Sequence, residues 1–217
     1  KLVDETGVVI METHDENKTF VEVINGAQYE RGLLNPHFIT NKDKGTCELE
    51  DPYVLLIENK IENIRQIQGV LEFIIKSNKS LLIIAETDPT VTSALAMNKI
   101  KGNIKINIVD APNFGVTKKQ VLNDIALMTG ATVINEHLGD DLDLIQPEHL
   151  GQCVKSITTE YETIIQVDGV SQEVEQVIEQ VKKDIAKETK PGAITRLEKR
   201  LALLSAKIAN VKVGANS

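Results

Sequence analysis

The chain has 217 residues, of which 41% are hydrophobic, 26% are charged and only 3% are aromatic. This composition supports a sizeable core of Ile, Val and Leu, in one domain or in one domain with an appendage. The formal net charge of −8 argues against a nucleic-acid-binding surface, and no apolar run is long enough to span a membrane.

The first predicted elements are two β-strands. Residues 7–24 alternate between apolar and polar positions around a polar turn at 14–17, which predicts a hairpin that ends at Asn25 and Gly26. Pro36 disfavours a helix in the next stretch, so its apolar residues lie on an extended segment. These residues are Leu33, Leu34 and Phe38. They either form an exposed binding surface or pack into the core, and the sequence favours neither alternative.

Residues 53–86 form the clearest pattern in the chain. Tyr53–Ile57 and Leu81–Ala85 are short continuous apolar runs, which are typical of parallel strands covered on both faces. Between them, apolar residues recur every three or four positions from Ile61 to Ile75 and predict a helix. The apolar stripe is wide enough to leave Leu71 or Phe73 free after packing on the sheet. A strand, a crossover helix and a parallel strand follow from this order.

The downstream chain continues to alternate helix and strand. Asp88 and Pro89 are suited to start a helix that runs to about Ile100 and ends at Gly102. The alternating residues 104–108 predict the next strand. Thr117 is a suitable cap for a further helix that Gly130 ends, and residues 132–134 form another strand. This order predicts an α/β fold in which helices flank a layered sheet.

The last third of the chain differs in character. Residues 154–157 and 163–167 predict a strand pair, whereas 171–188 and 194–209 predict two helices in an antiparallel hairpin. The predicted division of the chain is an N-terminal hairpin, a central domain and a helical hairpin, at residues 1–24, 25–168 and 169–217.

The residues alone indicate no active site. Asp140, Asp141 and Asp143 lack the central Gly and closing Glu of a calcium-binding hand, so a solvated loop is the preferred interpretation. The four histidines lie in separate segments without metal-ligand spacing. Cys47 and Cys153 match no metal or redox motif, which indicates reduced thiols in a reducing compartment.

Several motifs resemble the apical domain of group I chaperonins, the GroEL family. They occur in the same order as in that family and include part of its intermediate domain. The motifs are Tyr29-Glu-Arg-Gly-Leu-Leu-Asn-Pro-His-Phe38, Asn63-Ile-Arg65, Leu81-Leu-Ile-Ile-Ala-Glu86, Val109-Asp-Ala-Pro-Asn-Phe-Gly115, Thr129-Gly-Ala-Thr-Val-Ile134 and Val211-Lys-Val-Gly-Ala215.

The resemblance implies a chaperonin subunit whose apical domain binds non-native polypeptides and a GroES-like co-chaperonin. In the family, ATP and Mg²⁺ bind outside the region that this chain matches, so we expect no cofactor here. The start without Met and the end at Ser217 predict an excised fragment, monomeric although its parent forms a homo-oligomeric ring. The expected location is the bacterial cytoplasm or an organelle matrix, without a membrane or nucleic-acid partner.

The resemblance also implies which residues bind polypeptides. They lie on the extended segment and on the two helices, at Leu33, Leu34, Asn35, His37, Phe38, Gln68, Leu71, Thr92, Ala96 and Met97. His37 stands where the family has an aromatic residue, Gln68 and Thr92 where it has leucine, and Ala96 where it has valine. These replacements predict weaker binding of unfolded chains than in a typical member.

Two other functions stay open at this point. The polar replacements at Gln68 and Thr92 favour a specialised ring or scaffold subunit that has lost general client binding. An independent α/β enzyme is a third alternative, and the absence of a Gly-rich phosphate loop or a catalytic motif argues against it.

Overall fold

The computed structural model describes residues 9–14, 17–112, 115–205 and 207–213 of a mixed α/β protein. The chain divides into two compact units, residues 29–165 and residues 1–28 with 166–217. The predicted boundaries after residues 24 and 168 lie close to these divisions. The two outer pieces, however, belong to one unit, whereas the sequence suggested two.

The strands and helices are as follows. The strands are β1 (Val9–His14), β2 (Asn17–Tyr29), β3 (Cys47–Glu50), β4 (Tyr53–Ile57), β5 (Ser80–Ile84), β6 (Lys105–Val109), β7 (Val133–Ile134), β8 (Gly151–Gln152), β9 (Lys155–Thr158), β10 (Thr163–Gln166) and β11 (Lys207–Val213). The helices are α1 (Gln68–Ser77), α2 (Pro89–Ile100), α3 (Gly115–Thr129), α4 (Gln172–Lys187) and α5 (Pro191–Ser205).

The core of the larger unit is a parallel sheet with the strand order β6-β5-β4-β7, to which β8 adds antiparallel to β4. Every residue of β5 is buried, as are four of the five residues of β4 and β6. Strands buried on both faces need cover on both faces. Right-handed crossovers place α1 and α2 together on one face and α3 on the other.

The strands β10, β9 and β3 of the same unit lie side by side in a second sheet, in which β3 is antiparallel to β9. Strand β3 packs against β5 and β6, so the two sheets share one interior. Along β9 the side chains of Ser156 and Thr158 are fully buried, whereas Lys155 and Ile157 are partly exposed. This alternation is the period of a strand with one face towards the core.

The smaller unit contains β1, β2 and β11, with both β1 and β11 antiparallel to β2. Its helices α4 and α5 pack together as the predicted hairpin. The Ser171 side chain caps α4 by accepting a hydrogen bond from Val174 N, 3.2 Å away. Val174, Val181 and Leu204 are the buried residues of the two helices.

Most predicted elements are confirmed, including the hairpin of β1 and β2, β4, β5, the cap and start of α2, and α4. Gly102 and Gly130 adopt positive φ angles just beyond α2 and α3, as expected for helix ends. Gly7 and Val8 of the predicted hairpin, and residues 15–16 of its turn, lie outside the described residues, as do residues 113–114 of the predicted loop before α3.

Four elements had wrong predicted boundaries. Helix α1 begins at Gln68 after a helical turn at Ile64–Ile67, because Ile61 is extended and forms a parallel bridge with Thr87. Strand β2 continues to Tyr29, and β11 pairs with it as far as Asn25. The other two differences concern helices: α3 begins at Gly115 before Thr117, and α5 begins at Pro191 and ends at Ser205.

The start of α5 has a simple reason. Pro191 stands at the first helical position, where the missing N–H costs nothing, so the helix begins there, before the predicted start at residue 194. Residue Ile208, predicted for the same helix, lies in β11. Within the described residues, no helix is long and apolar enough to cross a membrane.

The buried sheet predicts a contrast between two leucines. Leu82 lies at the centre of β5 with no exposed surface, whereas Leu127 lies on the exposed side of α3. We expect Leu82→Ala to lower the free energy of unfolding by about 2–5 kcal/mol, because it leaves a cavity. We expect Leu127→Ala to lower it by about 1 kcal/mol, because 37% of that side chain is already exposed. Denaturation in urea measures both, and equal losses would contradict the assigned core.

Candidate functional site

The segment from Arg31 to Ile39, which leads from β2 to the first sheet strand of the larger unit, is held at three points. The first point is the turn between β9 and β10, where Leu33 N donates to the Thr159 carbonyl, 2.9 Å away. A Cβ atom at residue 32 would collide with the Glu160 carbonyl oxygen. Only glycine allows this close approach of two backbones.

The second point is a chain of hydrogen bonds between side chains inside the unit. Asn107 Nδ2 donates to Thr158 Oγ1 at 3.0 Å, and the Thr163 hydroxyl donates to the Arg31 carbonyl at 2.7 Å. The oxygens of Thr158 and Thr163 are 3.2 Å apart. Each hydroxyl has one proton, so Thr163, which donates to Arg31, accepts from Thr158. The chain therefore runs in one direction from β6 to the segment.

The third point is α2. Asn35 Oδ1 accepts from His37 N at 2.9 Å and caps the helical turn Pro36–Phe38, which packs against α2. The ring of Phe38 is fully buried. Lys99 Nζ, near the end of α2, donates to the Ile39 carbonyl at 2.9 Å. The segment is therefore anchored by a buried ring and by a charge-assisted bond.

Helix α1 has a polar residue and a buried leucine at the predicted positions. Gln68 is exposed, and its Nε2 donates to Glu72 Oε1 at 3.4 Å, one helical turn away. Leu71 faces the interior with 8% of its surface exposed. The apolar side chain that α1 leaves exposed is Ile75. Phe73, the other residue suggested by the sequence, forms an edge contact with the Tyr53 ring.

Helix α2 divides the predicted residues between two faces. Thr92 is buried, and its Oγ1 lies 2.7 Å from Thr87 Oγ1, while Ala96 is almost fully buried. Met97 is 49% exposed and Ile100 is 50% exposed. These two residues are three positions apart and so lie on one side of the helix. We call Met97 and Ile100 the α2 rim.

The structure therefore separates the ten predicted residues by accessibility. Those at least partly exposed are Leu33, Leu34, Asn35, His37, Gln68 and Met97, and those in the interior are Phe38, Leu71, Thr92 and Ala96. The segment predicted to be extended contains a helical turn at Pro36–Phe38, because Pro fits the first position of such a turn. Of the two alternatives for its apolar residues, core packing holds for Phe38, and Leu34 is exposed. The sequence analysis missed Ile100, although its spacing from Met97 was a usable signal.

A second place to look for a site is the carboxyl edge of the parallel sheet, where open α/β folds bind ligands beside a reversal of strand order. The reversal here lies between β4 and β7. Asn135 Nδ2 donates to Glu58 Oε2 at 2.8 Å, and Lys118 Nζ donates to the Glu58 carbonyl at 2.7 Å. Lys119 Nζ lies 3.6 Å from Glu58 Oε1. These polar groups are bonded to one another across the strand ends.

Burial raises the pKa of several titratable groups of the larger unit. Burial raises the pKa of the Cys47 and Cys153 thiols to about 12, so neither is a thiolate near neutral pH. Burial also raises the pKa of Tyr29 far above its usual range. The pKa of Asp110, at the end of β6, is raised mainly by burial and lowered in part by Arg31.

Metal-ligand geometry is not evident in the part of the chain that the structure describes, where no three His, Cys, Asp or Glu side chains converge. Asp140, Asp141 and Asp143 are exposed on their loop. No protein-family model matches this chain. The interpretation of the surface therefore depends on the geometry given above and on the motifs in the sequence.

The hydrogen-bond chain makes Thr163 a positioning residue for the segment. We expect Thr163→Val to lower the free energy of unfolding by about 1–3 kcal/mol, because it leaves the Arg31 carbonyl and the Thr158 hydroxyl without their partner. Thr132 is exposed, so Thr132→Val is the matched control and should be nearly neutral. Urea denaturation measures both, and a neutral Thr163→Val would remove the assigned role.

The close approach at Gly32 predicts a change in local protection. In Gly32→Ala the added methyl group would collide with Glu160, so we expect the Leu33–Thr159 hydrogen bond to break. Amide hydrogen exchange should then become at least tenfold faster at Leu33. Gly69→Ala is the control, since a Cβ there meets nothing within 4 Å in helix α1. Unchanged exchange at Leu33 would show that the segment is not held at this point.

Proposed function

We propose that this chain is the polypeptide-binding part of a chaperonin-type protein and that it holds non-native segments against the α2 rim. The observation that carries the proposal is a pair of half-exposed apolar side chains, Met97 and Ile100, on a helix fixed to a buried sheet. An exposed apolar surface binds unfolded chains because these expose apolar area, at roughly 25 cal/mol per Å² buried.

The fold supports the finer assignment to a layered sheet of the apical-domain type, with a helical hairpin of the intermediate-domain type. The order of the motifs is the order in which the family's apical domain has them. Helices α1 and α2 lie on one face of the sheet, and the anchored segment packs against α2. Two neighbouring parallel helices offer a groove for an extended or helical peptide.

By the same resemblance, we propose that the partners are unfolded polypeptides and a GroES-like co-chaperonin. ATP and Mg²⁺ would act in a part of the subunit that this chain does not resemble, and the ring would form through contacts of the parent protein. An enzyme of this fold class would hold its substrate at the carboxyl edge of the sheet. The polar groups at the ends of β4 and β7 are instead bonded to one another, which is consistent with a binding protein.

One observation favours the second candidate, a specialised ring or scaffold subunit with weak client binding. Gln68 presents an amide where the resemblance implies leucine, and Thr92 and Ala96 are directed into the interior. The apolar surface along α1 and α2 is therefore smaller than the motif suggests. A smaller area gives less binding free energy for the same kind of partner.

A dilution assay distinguishes general binding of unfolded chains from the specialised subunit with weak binding. A chemically denatured test protein is diluted into buffer with an excess of this chain, and light scattering reports its aggregation. We expect suppression that Met97→Ser with Ile100→Ser weakens by roughly thirtyfold in apparent affinity, from about 1 kcal/mol per half-buried side chain. Gln68→Leu should strengthen it. Thr92→Leu is unsuitable here because that position is buried.

The control is Tyr161→Ser, which removes a more exposed ring, 75% accessible, elsewhere in the same unit. Suppression that the rim variant leaves unchanged would refute binding at α2. No suppression by the unaltered chain, with suppression by Gln68→Leu, would support the specialised subunit.

A further inference from the structure

An ordered acidic segment between β7 and β8 exposes two leucines. Segment 136–148 projects Leu138 with 80% and Leu144 with 64% of its surface exposed. Leu142 and Ile145 of the same segment are buried. The buried pair fixes the segment to the fold and the exposed pair has no intramolecular use, which is the pattern of an interaction surface.

The backbone of this segment is held in place. Its helical turn Leu142–Leu144 packs against the turn Ile64–Ile67 and against α1. Glu136 N donates to Asn59 Oδ1 at 2.7 Å, which ties the start of the segment to the end of β4. The two leucines are therefore presented by a structured surface, and a partner would not have to order it on binding.

The charge around the leucines is negative and is not neutralised by ion pairs. The segment contains five carboxylates, and the sequence has no Lys or Arg between Lys119 and Lys155; the carboxylates are Glu136, Asp140, Asp141, Asp143 and Glu148. Among the described residues, none of them forms a salt bridge. The adjoining turn adds Arg65, and Lys118 and Lys119 lie against Glu58 beside the start of the segment, where Glu58 offsets part of their charge. The five carboxylates outnumber these cations, so the surface stays negative.

We propose that segment 136–148 docks a cationic amphipathic protein segment, one that bears Lys or Arg beside an apolar face. The apolar face covers Leu138 and Leu144, and the cations meet the five carboxylates. Complementary charge speeds association and excludes acidic partners. Nucleic acids and anionic membranes are excluded for the same reason. This surface follows β7, on the side of α1 away from α2, so it is separate from the α2 rim.

The test uses the 217-residue chain and a dye-labelled helical peptide of Leu and Lys in an amphipathic pattern. Fluorescence anisotropy at low ionic strength should show binding, and a peptide with Glu in place of Lys should bind at least tenfold more weakly. Leu138→Ser with Leu144→Ser should weaken binding of the Lys peptide at least tenfold. Glu136→Gln with Asp143→Asn should weaken it about threefold and reduce the salt dependence.

Two controls distinguish binding at segment 136–148 from binding at the α2 rim. Tyr161→Ser removes an apolar side chain of 75% exposure outside the segment and should leave affinity unchanged. Because the α2 rim would also bind an amphipathic peptide under the proposed function, the Leu138/Leu144 comparison is repeated in the Met97→Ser, Ile100→Ser background, where the tenfold loss should persist. The proposal is overturned if the Lys peptide binds the Leu138/Leu144 variant as tightly as the unaltered chain, or binds no better than the Glu peptide.

Discussion

The complete burial of β5 between two neighbouring strands is the constraint on which the larger unit depends. A strand with no exposed residue needs apolar neighbours in the sheet and cover on both faces. Strands β4 and β6 supply the neighbours through registers that place Leu55 beside Ile83 and Ile83 beside Ile108. The positions of α1 and α2 then follow from right-handed crossovers, so the surface that they present is a consequence of the sheet.

The candidate surface depends on polar groups placed inside this apolar interior. Asn107 is the one polar residue of β6 that is fully buried, and it begins the hydrogen-bond chain that ends on the Arg31 carbonyl. A buried amide costs free energy unless it is bonded, and a bonded one specifies a single arrangement of its partners. The segment is thus positioned by directional bonds, in addition to the packing of Phe38.

The sequence predicted the elements whose residues show a clear period, such as β4, β5 and the helix that begins at Pro89. It failed where a long-range partner decides the conformation. Ile61 has the helical spacing but bridges Thr87, and Asn25 is a turn former that β11 holds in a strand. The site residues were predicted from a motif, and a motif does not show which side chains are buried. Burial of Thr92 and Ala96 depends on how α2 rotates on the sheet, which only the packed structure defines.

The bond from Lys99 to the Ile39 carbonyl couples two parts of the chain that are 60 positions apart. Together with the buried Phe38 ring, this bond holds segment 31–39 against α2. Any displacement of the segment away from α2 therefore has to break this charge-assisted bond and bring the Phe38 ring into water.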